Sequence, residues 1–436
     1  MWRSAWPIRK SFSRRLRFVP LCVWSHPKLA ESLPILYLVH RLPFPPDKGD
    51  RIRAFHILKF LGSLGSVHLA TLTDEPKPQD ESIETELRKF CQKLAIIPLP
   101  RTRPFRMLWS LVSGKTATEG AFDSPALRHT LNTWRRETPY RACIVSSSSM
   151  TPYLRMADLR DVPAVVDLVD VDSQKWLDYA ATSRPPRSWL YRLEARRLRQ
   201  LESALPARTR AVTLVSEVEA DLFRRFAQPG RVQVISNGVD LDYFQPRSEP
   251  ESGCVFTGAL DYWPNVEGIS WFCREVWPEI HSRQTQARLS IVGRRPVPAV
   301  RRLATIPGVE VVGEVPDVRP YYARAAVVIA PLRIARGIQN KILEAMAMSK
   351  ALVASSACLQ GVHAQPEVHL LRAESADDWQ QSILRLMDNP GLRRQLGQAG
   401  RRFVEEHHRW DRCLEPLGRL LDDVVSPSRL ACEGRP

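Results

Sequence analysis

Two charged residues three apart in an otherwise apolar stretch, Lys341 and Glu344, are the clearest candidates for chemistry in this sequence. They lie in RIARGIQNKILEAMAMSKALVAS (residues 333–355), which reads as a loop, an amphipathic helix and a strand. Gly337 stands at the helix entrance, followed by Ile338, Gln339 and Asn340. The backbone N–H groups of those three residues have no partner within a helix, and the helix end carries about +0.5 charge, which suits a phosphate or diphosphate. Lys341 adds a formal positive charge, while Glu344 can accept hydrogen bonds from a sugar diol. The competing reading is a solvated pair on a helix surface.

Other chemistries lack their residues. Neither half of the chain has GxGxxG after its first strand, and GxxxxGK[ST] and HExxH are missing, which argues against dinucleotide, P-loop and zinc-protease chemistry. DLVDVD (167–172) approaches a metal-binding DxD, but it continues a predicted strand. Eight cysteines (22, 91, 143, 254, 273, 358, 413 and 432) are scattered without metal-ligand spacing, mostly in apolar runs. They suggest buried thiols in a reducing compartment, hence a cytoplasmic address.

The elements that must position the candidates alternate regularly. Apolar strands are expected at 33–39, 67–72, 94–98, 142–146, 164–168, 211–215 and 232–235, with helices around 52–60 and 126–137. A second set follows: strands at 254–257, 287–292, 309–312, 326–330 and 351–355, with helices at 265–281 and 318–323. The expected class is α/β, two doubly wound Rossmann-like domains facing a cleft, with ligand at the C-terminal ends of the strands. The boundaries read as a basic tail (1–32), an N-terminal domain (33–240), a linker (241–253), a C-terminal domain (254–405), and a terminal helix and tail (406–436).

A length of 436 residues allows two domains, and the net charge of +16 favours anionic partners. No zinc finger, RNP-like aromatic motif or basic heptad run accompanies that charge, so nucleic acid is not expected. No run approaches the roughly 18 apolar residues of a spanning helix. Residues 1–32 hold six Lys/Arg by position 17 and no acid before Glu31, with an apolar stretch broken by Pro20. They read as a disordered tail or an early start, or else a membrane-surface arm, and not as a signal peptide. RTRPFR (101–106) and RPPRSWLYRLEARRLRQ (184–200) add basic, partly aromatic stretches suited to peripheral contact with an anionic membrane at the inner face.

GIQNKILEAMAMSKALVAS resembles the G-x-x-x-K-x-x-E-A-M-A-x-G-x-P-V-V-A signature of retaining GT-B glycosyltransferases of family 4. VTLVSEVEADLF (212–223), VISNGVDLDYF (234–244), VFTGALDYWPN (255–265), LSIVGRRP (289–296) and VEVVGEVPDVRPYYARAAVVIAPL (309–332) follow in the family's order. RLPFPPDKGDRIRAFHIL and VVDLVDVDSQKW are similar to sugar transferases of exosortase (PEP-CTERM) exopolysaccharide loci. The resemblance implies that Glu344 is the second glutamate of E-x7-E and holds the donor ribose. It makes Gly337, Ile338, Gln339 and Asn340 the diphosphate cradle and Gly49 part of a loop closing over the donor. It puts the nucleobase beside Val312, Gly313 and Glu314.

The departures from that pattern are specific. Arg336 stands where the first glutamate belongs, and is expected to contact a phosphate or sugar hydroxyl. The Arg and Lys that follow F-x-G are missing, so Arg294, Lys341 or Arg51 must compensate the phosphates. Ser349 replaces a helix-ending glycine. The acceptor-side histidine has no counterpart, and SSSSM (146–150) and Asp172 occupy its region. Lys48, Arg51 and Arg53 read equally as solvated charges, Trp176 as core or as a stacking platform, and the serines as a polar turn.

The resemblance implies transfer of a sugar from a UDP- or GDP-linked donor to a glycan or lipid-linked acceptor in exopolysaccharide biosynthesis. The C-terminal domain would hold the donor, with no cofactor and no metal. A catalytically silent scaffold and a nucleotide-sugar epimerase are the alternatives.

Overall fold

The computed structural model describes residues 33–74 and 81–425; the expected basic tail and the last eleven residues lie outside them. Thirteen strands form two parallel sheets among the described residues. The first contains β1 (Ile35–Val39), β2 (Val67–Thr73), β3 (Lys93–Pro98), β4 (Ala142–Ser146), β5 (Ala164–Val169), β6 (Ala211–Leu214) and β7 (Val232–Val234), in the order 3-2-1-4-5-6-7. The second contains β8 (Cys254–Thr257), β9 (Leu289–Val292), β10 (Val309–Gly313), β11 (Val327–Ala330), β12 (Leu352–Ala354) and β13 (Leu371–Arg372), in the order 10-9-8-11-12-13. Each order reverses once, between β1 and β4 and between β8 and β11. Crevices open at such switch points, beyond the carboxyl ends of the strands.

The strands are apolar on both faces because helices cover both faces. β1, β2 and β4 are buried at every residue, as expected of central parallel strands. The helix expected over 265–281 is two helices, Trp263–Glu275 and Trp277–Arg283. Pro278 lacks the N–H that a continuous helix would need, so the break falls at its first turn.

Helix Trp410–Val425 does not form a separate tail. Its Trp410, Leu414, Leu417 and Leu421 enter the core beneath the first sheet, with Phe55, Ile57 and Leu58. Trp410 stacks on His56 with ring centroids 4.4 Å apart, and Arg231 pairs with Asp423 at 2.7 Å. The last helix thus straps the second domain's end to the first domain's sheet.

Under the cleft lies a buried ion pair. Arg53 meets Asp167 through two parallel bonds of 2.8 Å, and Thr213 donates to the same carboxylate at 2.7 Å. Arg53 is 1% exposed, so the solvated reading of this residue is wrong. Arg53 also donates to Asn237 at 2.9 Å, and Asn237 donates to Asn340 at 3.2 Å. This chain of bonds ties the first sheet to the helix Asn340–Ala347.

Candidate functional site

The chain leaves β11 and turns at Gly337 before the helix Asn340–Ala347. Gly337 has φ +61, and a Cβ there would stand 2.3 Å from Asp170 Oδ1. Only glycine tolerates both conditions. No side chain caps the start of this helix, which leaves its first N–H groups without a capping partner. Across the seam, Gly49 opens the helix Gly49–Leu64, also without a side-chain cap. A Cβ on Gly49 would lie 3.8 Å from the Asn340 amide nitrogen. Two helix N-termini therefore converge, the second with Asp50 in its first turn accepting the Arg51 N–H at 3.0 Å.

Lys341 lies beside them, buried. Its Nζ donates to Asn265 Oδ1 at 2.8 Å and stands 4.2 Å from the Phe256 ring centroid. No ion pair among the described residues involves it. Burial lowers its pKa to about 8. A Cβ on Gly258 would lie 3.0 Å from Nζ, so Lys341 reaches the loop after β8, the loop whose own Arg and Lys are missing. Of the other candidates for phosphate compensation, Arg294 stands 3.5 Å from Asp47 and Arg51 stands 3.3 Å from the same carboxylate. Burial holds Arg294 below its ordinary pKa. Asp47 thus gathers one arginine from each domain at the mouth of the cleft.

Glu344, one turn further on, ends a chain of hydroxyls. Tyr322 Oη donates to Glu344 Oε2 at 2.9 Å and lies 2.7 Å from Thr257 Oγ1. Burial raises the Glu344 pKa, and the Tyr322 bond and Lys341 oppose that rise. Burial and the nearby Asp317 raise the pKa of Tyr243, with Glu344 adding least, and the Tyr243 ring carries the Arg319 guanidinium 3.8 Å above its centroid. Gly313 has φ +82 and open space where a Cβ would be. Its carbonyl accepts the N–H of Gly293 at 2.7 Å, which fixes the end of β10 against the loop carrying Arg294.

Arg336 does not have the free guanidinium expected of a donor contact. It pairs with Asp178 at 2.5 Å and with Glu219 at 3.2 Å, both on helices of the first domain. Glu219 is 2% exposed and lies next to Asp170, whose charge raises its pKa after burial does. A glutamate at 336 would face two carboxylates, Asp178 and Glu219. The arginine matches its surroundings as a bolt between the two domains.

Asp170 is the residue that sequence reasoning missed. It follows Val169, a β-branched residue held at φ +69, and Ser147 after the adjacent β4 has φ +78. Such backbone strain concentrates at functional sites. Asp170 Oδ1 is buried against Gly337 with no hydrogen-bond partner, while Oδ2 meets Lys175 at 3.0 Å. Ser148 donates to Asp172 at 2.6 Å, so the serine run is part of a polar floor and more than a turn. Lys175 also meets Asp172, at 3.3 Å. The acidic density of DLVDVD, running off the carboxyl end of β5, was the available signal. Trp176 is half-buried, 5.2 Å from the Tyr191 ring, at the edge of this floor.

Residues 251–389 match the family model described as glycosyl transferases group 1. No curated protein matches the sequence. Sucrose-phosphate synthase from Thermosynechococcus elongatus superposes with a TM-score of 0.67 at 18% identity, covering 91% of this chain and 100% of that one. The fold is GT-B. The Anabaena protein HepE in complex with UDP-glucose gives a TM-score of 0.62 at 13% identity, over 90% of this chain and 100% of its own. The trehalose 6-phosphate synthase of Burkholderia multivorans gives 0.61 at 10% identity, over 91% and 100%. The matched domain contains the second sheet of the GT-B fold and, with it, Lys341 and Glu344.

Proposed function

We propose that this GT-B protein is a glycosyltransferase that takes a sugar from a nucleotide-diphosphate donor, UDP- or GDP-linked, and passes it to a glycan or lipid-linked acceptor. One observation carries the reading. Lys341 is a buried ammonium in no ion pair among the described residues, with Glu344 acting on it only from beyond contact distance, and it stands where two helix N-termini converge. Such a group has room for a closer anion, and a diphosphate supplies one.

The remaining assignments follow from that position. The backbone of Gly337, Ile338, Gln339 and Asn340 receives the diphosphate, with Arg294 and the Gly49 helix end closing over it. Glu344 accepts hydrogen bonds from the ribose diol through its second oxygen. The base lies in the open space by Gly313, near Tyr243. The sugar then points toward Asp170 and Ser148, where the acceptor enters from the first domain. Transfer proceeds by positioning and by stabilising the departing diphosphate, whose developing charge meets fixed donors and cations. Those protein charges do the work without a divalent metal. Retention of configuration and a role in exopolysaccharide synthesis rest on the sequence resemblance. A cytoplasmic address is supported by the six described cysteines, all buried and free.

Calorimetry with UDP, GDP and their glucose conjugates tests the reading. Micromolar binding of one nucleotide series, unaffected by EDTA, is expected. No binding by any of them to folded protein would overturn it, and turnover that requires added magnesium or manganese would overturn the metal-free part.

A further inference from the structure

Among the described residues, half of the large apolar side chains that stand in solvent sit on two helices of the first domain. Helix Arg103–Val112 exposes Phe105, Leu108, Trp109 and Val112, spaced i, i+3, i+4 and i+7, with Trp109 72% exposed. Helix Arg187–Ser203 exposes Trp189, Leu190 and Leu193. The helices are neighbours. Arg197 donates to the Leu111 and Lys115 carbonyls at 2.7 Å each, and Glu194 accepts from the N–H groups of Ala117 and Thr118. An exposed apolar stripe on one helix, with a second exposed apolar cluster on its neighbour, marks a surface that is covered in use.

The charge around the stripe selects what covers it. Arg101, Lys115, Arg184, Arg187, Arg192 and Arg196 are exposed, and none takes part in an ion pair among the described residues. The acids on the two helices, Glu194 and Glu202, are buried. A second copy of this face, or the basic residues 1–32, would bring like charge against it. An anionic bilayer complements both features, taking the aromatic and aliphatic side chains into the interface and the arginines onto the headgroups.

The face also borders a cavity. Ser110 and Lys115, at the end of the same helix, line a space of about 250 Å³ together with Phe122, Ser149 and Tyr153. Ser149 belongs to the run after β4, next to the serine that holds Asp172. We propose that the two-helix face docks the protein on an anionic lipid bilayer, and that the acceptor is lipid-linked, its headgroup entering by this cavity. The docking half stands on the surface alone; the acceptor half rests on the glycosyltransferase reading.

Flotation of the full-length protein with phosphatidylcholine vesicles, with and without phosphatidylglycerol, tests the docking. Binding is expected only with phosphatidylglycerol, falling as salt rises. Phe105→Glu with Trp109→Glu, and separately Arg192→Glu with Arg196→Glu, are each expected to reduce the bound fraction by about ten-fold or more. All four side chains are exposed, so melting temperature and nucleotide affinity stay unchanged. Equal binding to neutral vesicles, or undiminished binding of both double variants, overturns the docking surface. A protein that floats as expected but binds no nucleotide sugar keeps its docking surface and loses the acceptor half. Transfer to a water-soluble glycan that equals transfer to vesicle-borne acceptor overturns the lipid-linked assignment alone.

Discussion

Replacing Lys341 by methionine should move stability and ligand binding in opposite directions. The buried ammonium has one neutral acceptor, Asn265, an aromatic ring for company, and the Glu344 carboxylate beyond contact distance. Its fall from an ordinary 10.5 to about 8 corresponds to roughly 3 kcal/mol held against the charged form in the unliganded protein. Methionine fills a similar volume without that cost, so Lys341→Met should be more stable than the parent at neutral pH by ~1–3 kcal/mol. A bound diphosphate would have gained charge-assisted hydrogen bonds of ~1.5–3 kcal/mol from the lysine, so the variant should bind nucleotide diphosphate roughly ten- to a hundred-fold more weakly.

The pH dependence carries a definite sign. Below about 8, lysine is protonated in both folded and unfolded chains and the penalty is fully present. Between about 8 and 10.5 the folded chain releases its proton first, so the unfolded chain binds more protons and stability rises with pH. The advantage of Lys341→Met should therefore shrink through that window. Chemical denaturation of both proteins across the window and calorimetry with nucleotide measure the two effects. A variant that is less stable at neutral pH, with unchanged nucleotide affinity, would refute the reasoning and make Lys341 structural.

Glu344→Gln should keep its fold, because Tyr322 can still donate to the amide oxygen, yet weaken nucleotide-sugar binding by ~1.5–3 kcal/mol in calorimetry. Arg336→Glu should lower turnover and cost roughly 3 kcal/mol in chemical denaturation, since it unpairs the buried Glu219 and adds another acid; faster turnover would show the arginine to be a defect. Gly337→Ala should lose about 2 kcal/mol of stability from its left-handed backbone and the contact with Asp170, and should weaken donor binding with it; an unchanged melt would contradict the close approach.

The sheets were legible in the sequence because parallel strands buried on both faces are short, unbroken runs of Val, Ile, Leu and Ala, as in ILYLV and ACIVS. The helix start that carries Lys341 and Glu344 was legible because a glycine followed by an amphipathic run is a local pattern. What the sequence hid is non-local. The partners of Arg336 lie 158 and 117 residues away, and Asp167 lies 114 residues from Arg53. An arginine in a sequence therefore looks the same whether solvated or locked in an ion pair. Trp410, Leu414, Leu417 and Leu421 announce an apolar helix face, but not that it returns to the first sheet. Asp170 escaped notice because its importance depends on Val169 adopting a backbone angle that its side chain disfavours.

The most direct test of the central claim is release of nucleotide diphosphate from UDP- and GDP-linked sugars by the purified protein, with and without a lipid or glycan extract. The account predicts release from one nucleotide series, accelerated by the extract, with label moving from the sugar donor into the acceptor fraction. Donor binding without release or label transfer under any of these conditions would contradict it and leave a silent scaffold in its place.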